Sequence, residues 1–442
     1  MNPKGGLGLR NLNLTADPTD ATMRPMPPFA RRLAAVTVLV LSLAIIAFLG
    51  LRGMGFQIGF GPFANPTPEV ATATPQPSGP LPSQDAIAAF AQIEDEVRDL
   101  RDLPAADIGP PEILTRAELA EVLPDLLEPA LDNETLRALG LLTADQDIVA
   151  LTEQLYTAQV LGFYDFDAKR MVVVTDAGLT PAARITYAHE YTHALQDAAF
   201  DSSAAQEAVA GQRDQELALL GLEEGDATTA MVLWAIGHLA AEELAGITET
   251  PVPEMTGIPD WMVRLLEFPY LSGAEFVGQL YASGGWDAVN AAYDDLPAST
   301  EQVLHPQAYI DGEAPIEVEG LDLATALGAG WANVTETTLG EAWMSIWLEG
   351  LGVPQAAADV AADGWGGDGL TVATDADGSS ALGWRIAWDA PIEATEFETA
   401  YAGVQTGLPF ASRVVHVSDR ETVVLQASSA DLLASIATLV AD

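Results

Sequence analysis

At 442 residues and 49% apolar composition, the chain can fill two or three cores and is not globally disordered. Its 64 Asp and Glu against 18 Lys and Arg leave a net charge of −46, which suits solubility or a salt-rich habitat and excludes nucleic acid as a partner, because this surface repels phosphate. Cysteine is absent, so disulfides, thiolate catalysis and cysteine metal sites are excluded, and any metal must be held by nitrogen and oxygen.

Residues 33–51, "LAAVTVLVLSLAIIAFLGL", form an uncharged run that as a helix rises about 28 Å, roughly a bilayer's hydrocarbon thickness. Lys4, Arg10, Arg24, Arg31 and Arg32 precede it, and after Arg52 no basic residue occurs until Arg98. The positive-inside rule therefore predicts a cytoplasmic tail (1–32), a single-pass anchor (33–51) and an extracytoplasmic remainder, with the membrane engaged through that helix. Residues 52–83 read as a Pro/Thr-rich linker that cannot bury a core.

Ordered structure is predicted from Gln84, where Ile87, Phe90, Ile93 and Val97 recur at helical spacing. Several short helices broken at Pro124 and Pro129 are expected over 112–160. "GFYDFDAKRMVVVTD" (162–176) reads as a β-hairpin turning at Asp167-Ala168. Thr180 followed by Pro181 is a helix start. Further helical regions are expected over 203–247 and 260–294. The last hundred residues read as helices near 338–363, 391–404 and from 429, with strands near 370–374, 382–388, 413–417 and 421–426. "GWGGDG" (364–369) lacks the lysine and the strand-to-helix placement of a phosphate cradle and reads as a turn into a strand. Trp343, Trp347, Trp365, Trp384 and Trp388 read as core.

The helix opened by Thr180 carries "YAHEYTHALQDAAF" (187–200). Residues four apart share a helix face, so His189 and His193 can aim their imidazoles at one point and share a zinc ion. Glu190, about 100° round the helix, sits beside that point, where it can take a proton from a water the metal has acidified and pass it to a leaving amine. That chemistry suits hydrolysis of a peptide or protein substrate. The competing reading is a pair of hydrogen-bonded histidines on an amphipathic helix.

A third ligand must come from His238, His305, His416 or the acidic residues. On the downstream helix, Glu224 falls in line with Leu217, Leu220, Thr228 and Met231, a core-facing row, whereas Glu223 lines up with Gln212, Glu216, Leu219 and Ala230. A lone carboxylate on an apolar row is costly unless something pairs with it, which a metal at Glu224 would do. A carboxylate at the rim, turned to water, is the alternative. Asp197, one turn past His193, either orients a ligand imidazole or is a surface carboxylate at the helix end. His238 and His416 read as packing residues.

"AHEYTHALQD" followed by "LEEGDA" resembles the gluzincin metallopeptidases, in particular a membrane-anchored branch with HE-x-x-HALQD and EGDA signatures. The resemblance spans about residues 160–310. It implies zinc on His189, His193 and Glu224 with Glu190 catalytic, and it implies that the strand pair before the active-site helix offers its edge to an extended peptide. It further implies a group outside the motif that stabilises the oxyanion, for which His305 is the first choice and Tyr309 the second. The expected architecture is α+β: a mainly helical zincin-like catalytic domain over 84–310 with a small β-hairpin, an amino-terminal transmembrane helix, and a C-terminal α+β region over 311–442. The expected activity is an extracytoplasmic zinc-dependent peptidase. A cell-surface binding protein on the same scaffold, or a purely structural stalked domain, are the alternatives.

Overall fold

A computed structural model describes residues 84–440 apart from 126, 128, 167, 176, 177 and 249–254. The expected tail, anchor and linker, and Asp167 of the hairpin turn, lie outside the described residues.

The amino-terminal half is built from α1 (Gln84–Arg101), β1 (Glu112–Leu114), α2 (Arg116–Val122), α3 (Asn133–Ala138), α4 (Ile148–Gln159), β2 (Gly162–Asp165) and β3 (Arg170–Val174). There follow α5 (Pro181–Phe200), α6 (Ser202–Val209), α7 (Arg213–His238), α8 (Ala241–Thr248), α9 (Asp260–Gly284), α10 (Trp286–Asp294), α11 (Thr300–Leu304) and α12 (Pro306–Asp311). The rest comprises α13 (Leu323–Leu327), β4 (Trp331–Thr337), α14 (Gly340–Gly350), α15 (Gln355–Ala362), β5 (Trp365–Asp375), β6 (Ser380–Trp388), α16 (Pro391–Gln405), β7 (Ala411–Ser418), β8 (Glu421–Ala427) and α17 (Ala430–Ile436).

The expected architecture needs correcting. The chain is helical with two β-sheets: β2 and β3 are the predicted antiparallel pair, but β1 adds to β3 in parallel, and β4-β5-β6-β8-β7 form a five-stranded antiparallel sheet. β1 is three residues long and half exposed, too short to carry an alternation that would separate it from the helices around it. β4 is an edge strand whose Trp331, Asn333, Thr335 and Thr337 alternate with exposed neighbours. No helix among the described residues is long and apolar enough to cross a membrane, and the run 33–51 that suggested one lies outside them.

Helix α1 buries Ala86, Phe90, Ile93 and Val97 and leaves Ile87 exposed, so the stripe starts one residue earlier than its spacing suggests. Trp343, Trp347, Trp365, Trp384 and Trp388 are all buried, as a core reading requires. The glycines of 364–369 turn the chain into β5 at Gly364 (φ +77°) and then let residues 316–320 cross β5 closely, with Ile316 N donating to Gly366 O at 2.6 Å. One apolar core runs from Leu131 to Val424 and joins α7 and α9 to α14, β5, β6 and α16.

Helix α7 packs against both α5 and α9. Its contact with α9 is made through glycines: a Cβ on Gly225 would lie 2.2 Å from Gly273 O, and one on Gly273 would lie 2.1 Å from Gly221 O. Backbone therefore meets backbone beside Glu224, and α9 is drawn close against α7.

Candidate metal centre

Helix α5 starts as its sequence dictates, with the Thr180 side chain accepting from Ala183 N and Pro181 in the first turn, where its missing N–H costs nothing. It ends at Asp201 in the left-handed region (φ 56°). Residues 185–197 are all buried, because α1, the three-stranded sheet and α7 cover different sides of the helix. Gly162 permits the sheet's approach: a Cβ there would stand 2.9 Å from both Thr186 Cγ2 and Val172 O.

On this helix the His189 and His193 rings stand edge to face with centroids 4.8 Å apart. Their Nε2 atoms are 3.1 Å apart, and Glu224 Oε2 lies 2.9 Å from His189 Nε2 and 3.4 Å from His193 Nε2. Three ligands at about 2.1 Å from one tetrahedral ion stand roughly 3.4 Å from each other, so this triangle of buried donors is close enough to hold a metal ion. The donor set, two imidazoles and a carboxylate, fits zinc as well as other divalent transition metals.

The hydrogen bonds around His193 settle its tautomer. Gln196 Nε2 donates to Glu223 O (2.9 Å) and Asp226 Oδ2 (3.1 Å), which turns Gln196 Oε1 toward His193 Nδ1 at 2.8 Å. Nδ1 must then carry the proton, and in the neutral ring Nε2 keeps its lone pair for the ion. Asp226 is itself anchored, accepting from Arg101 Nε (2.7 Å), Arg101 Nη2 (3.0 Å) and Tyr293 OH (2.8 Å), with the guanidinium lying over Trp286. Arg101 and Asp226 are wholly buried, so each balances the other's charge.

Burial pushes the Glu224 carboxyl up, but the His193 charge and the bonds from His189 and His193 outweigh it and hold it down to about 2. Burial pushes His193 down, and Glu224 with Glu190 reverses this and raises it to about 10, while His189 is lowered by burial. The pocket thus keeps one anion and takes one cation against it. In the metal-free protein that is a proton on His193, and a metal ion would displace it.

Glu190 lies on the sheet side of α5, buried, with Tyr164 N donating to its Oε2 at 3.1 Å. Strand β2 is an edge strand, so Tyr164 N–H is directed away from the sheet and holds the carboxylate beside the triad. Its charge reaches both His193 and Tyr270.

The remaining expectations divide. Glu223 is buried like Glu224, accepts from Gln206 at 2.9 Å, and is pushed up to about 7 by burial, so helical phase alone did not separate the two. Glu216 accepts from Gly211 N and Arg213. Asp197 does not orient an imidazole; it accepts from Tyr164 OH (2.9 Å) and pairs with Lys169 (3.3 Å). His305 stands apart from the triad: its Nε2 is bound by Glu341 at 2.9 Å, beside Asp363, in a pocket that none of the triad lines. The reason is its place at the junction of α11 and α12, which faces α14 and α15 and not α5. Tyr309 OH donates to Asp295 O. His238 stacks on Trp234 beside Glu96, and His416 meets Glu398 at 2.9 Å, so both have ordinary partners.

Tyr270 was missed. It comes from α9, stacks on His189 with centroids 5.9 Å apart, and bonds to Glu224. Burial and the Glu224 charge raise its hydroxyl well above the usual range, so it stays a donor. A tyrosine in the apolar run "FPYLSGAEFV" was the available signal. Gln196, Asp226, Arg101 and Tyr293 were missed as well. Beside Glu224 and Tyr270 opens a cavity of about 200 Å³, lined among others by Leu131, Leu155, Leu217, Trp261, Met262 and Leu266.

Residues 325–437 match the model of a domain of unknown function, DUF8575. No curated protein and no solved structure matches the chain. The matched segment holds the five-stranded sheet with α14 to α17 and contains none of the triad. Nothing in these comparisons names a zincin or a metallopeptidase.

Proposed function

We propose that the chain is a zinc-dependent peptidase. The observation that carries this reading is the convergence of His189, His193 and Glu224 at metal-binding separations, with the Glu190 carboxylate held next to them. Zinc held by His189, His193 and Glu224 would supply Lewis acidity and acidify a water there. Glu190, fixed beside the triad by Tyr164 N, would serve as general base and then as the proton donor to the departing amine. Tyr270, kept protonated, offers its O–H to the developing oxyanion. The apolar cavity beside Glu224 suits a large aliphatic or aromatic side chain of the substrate.

The deciding experiment combines metal analysis with peptide cleavage. The full chain should hold zinc at the triad, lose it from that site in Glu224→Ala, and cleave peptides bearing bulky apolar residues. Glu190→Gln should keep that zinc and lower kcat/KM by roughly 10²- to 10⁴-fold. A protein whose triad binds no zinc refutes the reading; one that binds it but shows the same function in Glu190→Gln is a binding protein and not an enzyme.

A further inference from the structure

A second cluster of ligating atoms lies away from the triad. His305, at the junction of α11 and α12, Glu341 in the first turn of α14 and Asp363 at the end of α15 bring one ligating atom each within 4.8 Å of one another. His305 Nε2 stands 2.9 Å from Glu341 Oε1 and 3.6 Å from Asp363 Oδ1. A simple histidine–carboxylate pair accounts for only the first of these contacts. An imidazole Nε2 carries one hydrogen, and Asp363 at 3.6 Å is beyond hydrogen-bond range. Glu341 supplies an independent sign: its side chain is 5% exposed, and its Oε2 is buried with no hydrogen-bond partner among the described residues. Leaving one oxygen of a buried carboxylate unpaired is costly, and the group that would satisfy it is a cation placed between the three side chains.

The surroundings have the same bias. Asp363 acts on His305 with negative charge, and Arg264, which also lines this pocket, is already bound by Glu349 and Asp359. A cavity of about 440 Å³ opens alongside, leaving room for water ligands. We infer that His305, Glu341 and Asp363 form a second binding site for a divalent transition metal, of the zinc or manganese kind that accepts one imidazole together with carboxylate oxygens. The ion ties the α11–α12 junction to α14 and α15. It therefore spans the boundary of the segment that matches the domain of unknown function, which contains Glu341 and Asp363 but not His305.

The test is a zinc titration of the full chain, counted by isothermal calorimetry and by metal analysis after dialysis. Two zinc ions per chain are expected, falling to one in His305→Gln, with Asp363→Asn weakening that same ion at least tenfold. Both changed side chains are substantially exposed, so circular dichroism should report an unchanged fold. His189→Ala/His193→Ala should retain one ion that His305→Gln then removes, which separates this site from the triad whichever of the two readings fails. Zinc stoichiometry and affinity unaltered by both His305→Gln and Asp363→Asn would overturn the inference.

Discussion

At the scale of single residues, the centre is organised by a side chain outside the triad. Gln196 accepts the Nδ1 proton of His193 and is itself fixed by Glu223 O and Asp226, so its removal frees the ring to rotate and to take the other tautomer. Gln196→Ala should therefore weaken zinc affinity about 10- to 100-fold while the helical circular dichroism stays unchanged. Competition with a chromophoric chelator measures this, and an affinity equal to the unaltered protein would show that the glutamine only fills space. Asp197→Ala should cost far less affinity, because that carboxylate turns to Tyr164 and Lys169. The contrast explains what the sequence disclosed. His189, His193 and Glu190 obey a local spacing on one helix and so were legible, whereas Glu224 was singled out from its buried neighbour Glu223 only through the resemblance and not by helical phase. Gln196 and Asp226 were not legible, because their roles depend on how α5 rotates against α7, and adjacent polar letters such as Gln196 and Asp197 look alike until that rotation is known.

At the scale of elements, the approach of α9 to α7 decides whether Tyr270 reaches His189 and Glu224. Gly221, Gly225 and Gly273 set it, since an added methyl at Gly225 or Gly273 meets backbone that cannot turn aside. Gly225→Ala or Gly273→Ala should destabilise the fold by on the order of 1–3 kcal/mol and weaken zinc binding in parallel. Gly237→Ala provides the control on the same helix, for nothing lies within 4 Å of its added Cβ. There the lower flexibility of the unfolded chain and the better helix propensity should raise stability by about 0.5–1 kcal/mol. Thermal and urea midpoints of the three variants check both signs, and a neutral Gly225→Ala would show that the helices can separate without loss. Helices with a capped start and strands with an unbroken apolar run, such as α5 at Thr180 and β3, were legible in the sequence. Short strands were not: β1 is only three residues long, and its pairing with β3 is formed with a partner some sixty positions away.

At the scale of the whole molecule, charge sets how the protein responds to pH and salt. The net charge of −46 is repulsive throughout, and several carboxyls are carried inside. Burial, offset in part by the Thr300 bonds and reinforced by Asp368 and Glu341, pushes Asp214 up to about 8. Burial together with Asp389 and Glu341 does the same for Glu301, at about 8, and burial lifts Glu223 to about 7. In the unfolded chain such groups lose their protons near pH 4. Between roughly pH 4 and pH 8 the folded state therefore holds protons that the unfolded state has released, and stability falls as pH rises across that window. With a chelator present throughout, the thermal midpoint should be higher at pH 5 than at pH 8. Raising NaCl from 0.1 to 1 M shortens the screening length from about 10 Å to about 3 Å and should recover the part of the loss that comes from surface repulsion. The part that comes from Asp214 is buried and should persist. In Asp214→Asn the slope at 1 M NaCl should flatten, by a share on the order of a few kcal/mol between the two pH values. A midpoint that climbs from pH 5 to pH 8, or a slope identical in Asp214→Asn, would show that these carboxyls ionise inside the fold as freely as in water.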